Sequence, residues 1–163
     1  MKPFRTDPAR VLPPGHRWCV VCDIDGTIAD PAHRLHHLAS KPKDHKSFHR
    51  ASPWDKPIPE VVTVFHALMA LPNFEGVLVT ARPFETSDLT LEWLERWSIR
   101  FDHIFVRAAG DFRDDVIVKR EILHSMKTVW GLHPYLVIDD RKRVVDMWRS
   151  EGIKTLAVAD GDF

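Results

Sequence analysis

VCDIDGTIAD, residues 21–30, decides how the rest of the chain is read. An apolar, β-prone run, Trp18-Cys19-Val20-Val21-Cys22, leads straight into Asp23-Ile24-Asp25-Gly26-Thr27. Such a strand delivers two carboxylates to its C-terminal end. The glycine then lets the backbone turn sharply and approach a ligand closely. That arrangement suits metal-assisted phosphoryl transfer to an aspartate. Taken alone, Asp-x-Asp-Gly also describes a solvated acidic loop, so the rest of the chain must decide.

Working outward, short apolar runs alternate with helical stripes. Strands are predicted at residues 20–23, 76–80, 103–106, 135–138 and 154–158. Helices are predicted at 60–71, from a cap at Thr86 or Ser87 to 97, at 115–130 and at 144–151, the last closed by Gly152. In the second of these, Leu91, Leu94 and Trp97 fall on one face. Residues 26–59 read as irregular or weakly helical. Strands alternating with helices predict βαβ units: an α/β, Rossmann-like three-layer sandwich around a mainly parallel sheet of about five strands. The near-continuous apolarity of the strands fits burial on both faces. The expected organisation is an N-terminal arm (1–17) and a single domain (18–163), with 30–59 as a small basic flap or cap insert after the first strand.

Three strand ends carry chemistry: Asp23-x-Asp25, Thr80-x-Arg82 and Asp139-Asp140. The helix beginning at Asp115 adds Lys119. Ligands of open α/β sheets bind beyond the carboxyl ends of the strands, so these stretches converge on one expected pocket. Two carboxylates ~4 Å apart repel by about 4 kcal/mol at an effective dielectric near 20. Gathering Asp23 with Asp139 or Asp140 therefore calls for a cation. An all-oxygen ligand set favours Mg²⁺ over Zn²⁺. In that reading Asp23 attacks phosphorus and Asp25 moves the protons. Thr80 and Lys119 hold the non-bridging oxygens, and Arg82 offers a planar fork to phosphate. Singly, each has a plain alternative: a strand end, a solvated lysine, an Arg82–Glu85 pair, an acidic helix cap at Asp139-Asp140. Their ordered occurrence at successive strand ends favours the chemical reading.

The bulk numbers set limits. The chain has 163 residues, 28% charged and 44% hydrophobic, with zero formal net charge. It is no global electrostatic magnet for nucleic acid, so such contact must come from a local patch. The first 17 residues hold four prolines and no apolar core of a leader or membrane span. With only two cysteines, this points to the reducing cytoplasm. Cys19 and Cys22 have redox or zinc spacing. Within a strand, however, residues three apart face opposite sides, and there is no second pair.

The order Asp-x-Asp-Gly-Thr, Thr-x-Arg, Lys, Asp-Asp resembles the four motifs of the haloacid dehalogenase superfamily. Within it, the chain is similar to the 3′-phosphatase domain of phage polynucleotide kinase-phosphatases, from about Cys19 to Phe163. The most specific stretches are GDFRDDVIVKREIL (110–123) and VIDDRKRVVDMWRSEGIKTLAVADGDF (137–163). The resemblance implies Asp23 as nucleophile and Asp25 as acid-base and, through its carbonyl, metal ligand. It implies Asp139 and Asp140 around Mg²⁺ and Lys119 on the phosphate. Arg34 matches a substrate-binding arginine. Arg82 and Asp115 match further functional positions, Asp115 as orienter of Lys119 one turn away. Motif II reads Thr80-Ala81-Arg82, with Ala where a glycine is common in relatives.

The kinase half is expected to be absent, since no Gly-x4-Gly-Lys-Ser/Thr loop occurs. The insert is short enough to leave the cleft open. From 34 to 50 it holds Arg34, Lys41, Lys43, Lys46 and Arg50 against Asp44 alone, a formal charge of +4, beside Phe48 and Trp54. That suits a phosphodiester backbone and a stacked base, or equally a solvated loop with its aromatics packed inward. His33, His36, His37, His45 and His49 lack clear metal-ligand spacing. The leading expectation is a Mg²⁺-dependent phosphomonoesterase for 3′-phosphate ends of DNA or RNA, a phage-type end-healing enzyme. The alternatives are a phosphatase for free nucleotides or other small esters, and a non-catalytic binder of nucleic-acid ends. No membrane partner is expected. A homo-oligomer and a separate kinase or ligase stay open as partners.

Overall fold

The structure, a computed structural model, describes residues 12–39 and 41–161. Most of the expected N-terminal arm, and the last two residues of the terminal GDF, lie outside them. The central sheet has five strands in the order β5-β4-β1-β6-β7. They are β1 (Arg17–Cys22), β4 (Phe74–Pro83), β5 (His103–Arg107), β6 (Leu132–Arg141) and β7 (Lys154–Gly161). Every pairing is parallel. The α/β class and strand number match the sequence expectation. β4 and β6 run several residues longer at both ends than their apolar cores suggest.

β1 is central because both its faces are apolar. Cys19 and Val21 pack on one side with Leu123, Met126, Val144 and Trp148. Val20 and Cys22 pack on the other with Phe65, Trp93 and Leu94. The two cysteines are therefore in different cores, and burial pushes the Cys19 thiol up to about 12. The first core is covered by α5 (Asp115–Thr128) and α6 (Lys142–Ser150). The second is covered by α3 (Pro59–Met69) and α4 (Ser87–Arg96).

Details of α4 differ from the expected pattern. Its buried face is Thr90, Trp93 and Leu94, while Leu91 and Trp97 are exposed. The Trp93 indole N–H donates to the Asp55 carbonyl at 2.8 Å, and that anchor sets the helix's rotation. Neither expected cap works as one: the Thr86 hydroxyl donates to the Pro83 carbonyl instead.

The insert is tied down by a second sheet that the sequence reading missed, β2 (Ala29–Asp30) antiparallel to β3 (Lys56–Pro57). Between them lie a 3-10 turn (Ala32–Arg34), α1 (His36–Ala39), α2 (His45–Arg50) and a second turn (Ser52–Trp54). Two-residue strands carry almost no pattern, which is why they were illegible. Among the described residues no helix is long and apolar enough to cross a membrane.

Candidate active site

The chain leaves β1 at Cys22 and reverses within a few residues. The main-chain N–H groups of Thr27, Ile28 and Ala29 all donate to the Ile24 carbonyl, at 2.9 to 3.2 Å. Gly26 sits at φ +85°, in the left-handed region where a side chain is strained. The turn leaves Asp23 and Asp25 beyond the end of β1. The neighbouring strand β6 ends in Asp139-Asp140. Between β1 and β6 the sheet reverses its order of growth, the place where open α/β sheets bind ligands.

Asp23, Asp139 and Asp140 are buried there, with one carboxylate oxygen of each within 4.8 Å of the others. Lys119 reaches in from α5. Its Nζ lies 2.7 Å from Asp23 Oδ1 and 2.9 Å from Asp139 Oδ2. Asp139 is fully engaged: Oδ2 also accepts from Trp148 Nε1 at 3.2 Å, and Oδ1 accepts from the Arg141 N–H. Asp140 Oδ1 accepts from the Thr27 hydroxyl at 3.0 Å, but its Oδ2 is buried with no partner.

The charges do not balance without help. Burial, then repulsion from Asp139 and Asp140, pushes the Asp23 carboxyl far above the usual range against the pull of Lys119. Burial and Asp139 likewise push Asp140 up. Lys119 moves the other way. Burial opposes its charge, but Asp139 and Asp23 hold its pKa above the ordinary value. Three buried carboxylates against one ammonium, with an orphaned oxygen among them, fit a hard divalent cation. Asp23 and Asp140 are the residues whose oxygens would hold it. Asp139, whose oxygens already accept from Lys119, Trp148 and Arg141, is the third carboxylate of the group.

Asp25 stands outside this trio. Its carboxylate is clamped by two arginines. Arg82 Nη2 and Arg34 Nη2 each lie 2.5 Å from Oδ1. Burial raises its pKa, but Arg82 and Arg34 outweigh that and hold it far below the carboxylate range. Both guanidiniums also meet Asp55, Arg34 at 2.6 Å and Arg82 at 3.0 Å. The result is a quartet of two cations and two anions, all buried but the partly exposed Asp25.

The expectation turned both arginines toward the substrate, and the structure places them differently. Arg34 and Arg82 are 0% and 1% exposed, and their forks face carboxylates rather than the cleft. In this arrangement they hold the Asp25 carboxylate and do not border the cleft. The reason is Asp55, which was not singled out from the sequence. Its one signal was a third acidic residue in the predominantly basic insert, beside Pro53-Trp54. Asp115 is also placed differently from the expectation. It does not touch Lys119 but pairs with Arg107 of β5 and Arg141 of β6, tying α5 to both strand ends. Lys119 pairs instead with Asp23 and Asp139, and Asp115 with the two arginines. Thr80 lies in the cleft wall, its hydroxyl oxygen accepting from the Arg82 N–H at 3.2 Å, which leaves the hydroxyl proton to a ligand.

The cleft above these groups has a volume of about 690 Å³. Lys43, Lys46 and Arg50 of the insert line one side. Of the insert's two aromatics, Phe48 is buried with its ring 4.0 Å beneath the Arg34 guanidinium. Trp54 is 70% exposed and does not line the cleft. Neither is placed as a base-stacking surface. His49, by contrast, borders the cleft, and burial depresses its pKa to about 4, so it adds no charge at neutral pH.

Comparison with known proteins agrees with this geometry. The family described as the polynucleotide kinase PNKP phosphatase domain matches residues 17–163. A protein of Autographa californica nuclear polyhedrosis virus, described as a bifunctional polynucleotide kinase/RNA ligase, is 26% identical over 139 residues. That alignment covers 84% of this chain and 18% of the viral protein. A chain of the solved Pnkp1/Rnl/Hen1 complex superposes with a TM-score of 0.76 at 25% identity, over 94% of this chain and 49% of that one. A haloacid dehalogenase-like hydrolase of Streptococcus pneumoniae shares the fold, with a TM-score of 0.60 at 14% identity, over 88% of this chain and 84% of that one. This chain thus spans less than half the length of the first two relatives.

Proposed function

We propose that this chain, which belongs to the family of the polynucleotide kinase PNKP phosphatase domain, clears 3′-phosphates from polynucleotide ends with Mg²⁺ as cofactor. The observation that carries the reading is the buried trio Asp23, Asp139 and Asp140 beside Lys119. A protein that merely bound nucleic-acid ends would gain nothing from clustered carboxylates facing a phosphate.

In the proposed reaction, Asp23 attacks phosphorus, and its Oδ–P bond forms as the P–O3′ bond breaks. Asp25 rests as an anion between its arginines. It therefore relays to the leaving oxygen a proton that arrives with the monoanionic ester, whose second pKa is about 6. Asp25 next takes a proton from water as that water attacks the phosphoryl group, and the Asp23–P bond breaks to free inorganic phosphate. The Thr80 hydroxyl and the Lys119 ammonium hold the non-bridging oxygens. Asp23 and Asp140, with the Asp25 carbonyl that the family resemblance implies, would hold Mg²⁺, whose charge would shield and polarise the phosphate.

The names of the relatives set this domain beside kinase and ligase activities, and we place this chain in end healing alongside such a partner. The test is phosphate release from a 3′-phosphorylated oligonucleotide, with and without Mg²⁺, against a free 3′-nucleotide. Faster Mg²⁺-dependent release from the oligonucleotide is expected. Equal or faster release from the nucleotide makes it a small-ester phosphatase.

The cation has a readout apart from turnover. Asp23 and Asp140 have raised pKa values in the fold, so their stabilising contribution is present at low pH and lost as pH rises. A cation restores the balance at neutral pH. At 100 times its Kd, Mg²⁺ should add about 2.7 kcal/mol. That should raise the unfolding midpoint by roughly 8 °C for a chain of this size. Asp140→Asn should abolish most of that response, measured by thermal denaturation at neutral pH. A wild-type midpoint indifferent to Mg²⁺ contradicts the assignment.

A further inference from the structure

The loop between β5 and α5 is heavily braced, yet it holds one large apolar side chain out in water. Phe112 is 96% exposed, the most exposed of the described large hydrophobic residues. Most of its neighbours along the loop are anchored. Arg107 donates to the carbonyls of Asp111 (3.3 Å) and Arg113 (2.6 Å) and, through Nε, to that of Ala81 (2.9 Å). The Gly110 N–H donates to Glu85 Oε1 at 3.1 Å, and Gly110 takes φ +69°. Arg113 is locked between Asp111 (2.8 Å) and Glu121 (2.7 Å). Asp114 caps α5 through the Val116 N–H at 2.9 Å.

A single exposed aromatic is ordinary on a protein surface. Three observations together set this one apart. It borders the same cleft as Asp23, Thr80 and Lys119. The other strongly exposed aromatics among the described residues, Trp54, Phe84, Trp97 and Trp130, do not. The cleft also carries Lys43, Lys46 and Arg50 on the insert, where a phosphodiester backbone would be attracted. Bracing removes the entropy a mobile loop would lose on binding, so the ring is presented ready to receive a flat apolar partner.

We propose that Phe112 is the stacking platform for the base that carries the 3′-phosphate. This rests on the end-processing function proposed above and names what in the substrate the site reads: a base face, sequence-tolerant because every base has one. The ring touches no catalytic group. It determines specificity and takes no part in the chemistry.

The test compares two oligonucleotides with the same 3′-phosphate, one with a terminal base and one with an abasic terminal sugar. Phe112→Ala should raise KM for the base-bearing substrate by between about 5-fold and 100-fold. It should leave kcat and the abasic substrate unchanged, and Phe112→Trp should restore the wild-type KM. A wild type that favours the base-bearing end while Phe112→Ala keeps that preference overturns the platform and leaves the function standing. A wild type that releases no phosphate from either oligonucleotide overturns the function, and the platform with it. Loss by Phe112→Ala on both substrates alike shows a structural role for the loop and also overturns the platform.

Discussion

Asp23→Asn should reduce kcat on any phosphomonoester by about 10⁴-fold or more while leaving the protein folded and able to bind. The amide cannot form the covalent bond to phosphorus, and loss of a sole nucleophile is of this order in other enzymes that form covalent intermediates. The fold should tolerate the change because the wild-type carboxylate is strained. Burial and the two neighbouring aspartates already push its pKa far up. Removing its charge relieves that repulsion, and Lys119 keeps Asp139 at 2.9 Å. The thermal midpoint without Mg²⁺ should therefore stay level or rise slightly. Single-turnover kinetics and thermal denaturation on the same preparation check both halves. Turnover within tenfold of wild type removes Asp23 from the nucleophile's role.

Asp55→Ala should be the most damaging substitution outside the trio. It leaves Arg34 and Arg82, both buried, sharing Asp25 as their carboxylate among the contacts described. Breaking a buried ion network by removing one member typically costs about 3 to 5 kcal/mol. For a chain of this size that lowers the unfolding midpoint by roughly 10 °C. Trp93 would keep its bond to the residue 55 carbonyl, so α4 should stay seated. Asp25, however, would lose the frame that fixes its carboxylate. At a temperature where the variant is fully folded, kcat should fall by at least about tenfold with KM changed less, because general acid-base catalysis supplies 10²–10⁴-fold. Asp55→Asn, which keeps the shape and one acceptor oxygen, should recover part of kcat. A folded Asp55→Ala protein with wild-type kcat would show that the quartet serves stability alone.

Much of the site was legible because its parts follow strands. An apolar run ending in Asp-x-Asp-Gly or Asp-Asp announces where its carboxylates point, and Lys119 lies one turn into a helix whose start was readable. The pairing of the arginines with Asp55 was not legible, for the opposite reason. A guanidinium looks the same in a sequence whether it faces a phosphate or a carboxylate. Its partner Asp55 lies 21 residues from Arg34 and 27 from Arg82. Asp115 was singled out by resemblance, with the one-turn spacing suggesting Lys119 as its partner, and in the fold it pairs with Arg107 and Arg141. The face of α4 was displaced in the same way, by one indole hydrogen bond to a distant carbonyl.

By itself, then, the sequence determined the layered α/β architecture, the two cores on either side of β1, and the carboxylates and lysine gathered at its end. Alternation of strand and helix, and apolarity on both faces, leave few other ways to bury the chain. Only the tertiary structure decided which charges neutralise which. Those pairings depend on distances of 2.5 to 3 Å between groups far apart in the chain. The structure turned Arg34 and Arg82 inward onto Asp25 and Asp55, left Asp140 Oδ2 unpartnered, and stood Phe112 at the mouth of the cleft. Periodicity reports what must be buried. Electrostatic partners and the direction of a loop's side chain are settled only when the fold brings the neighbours in.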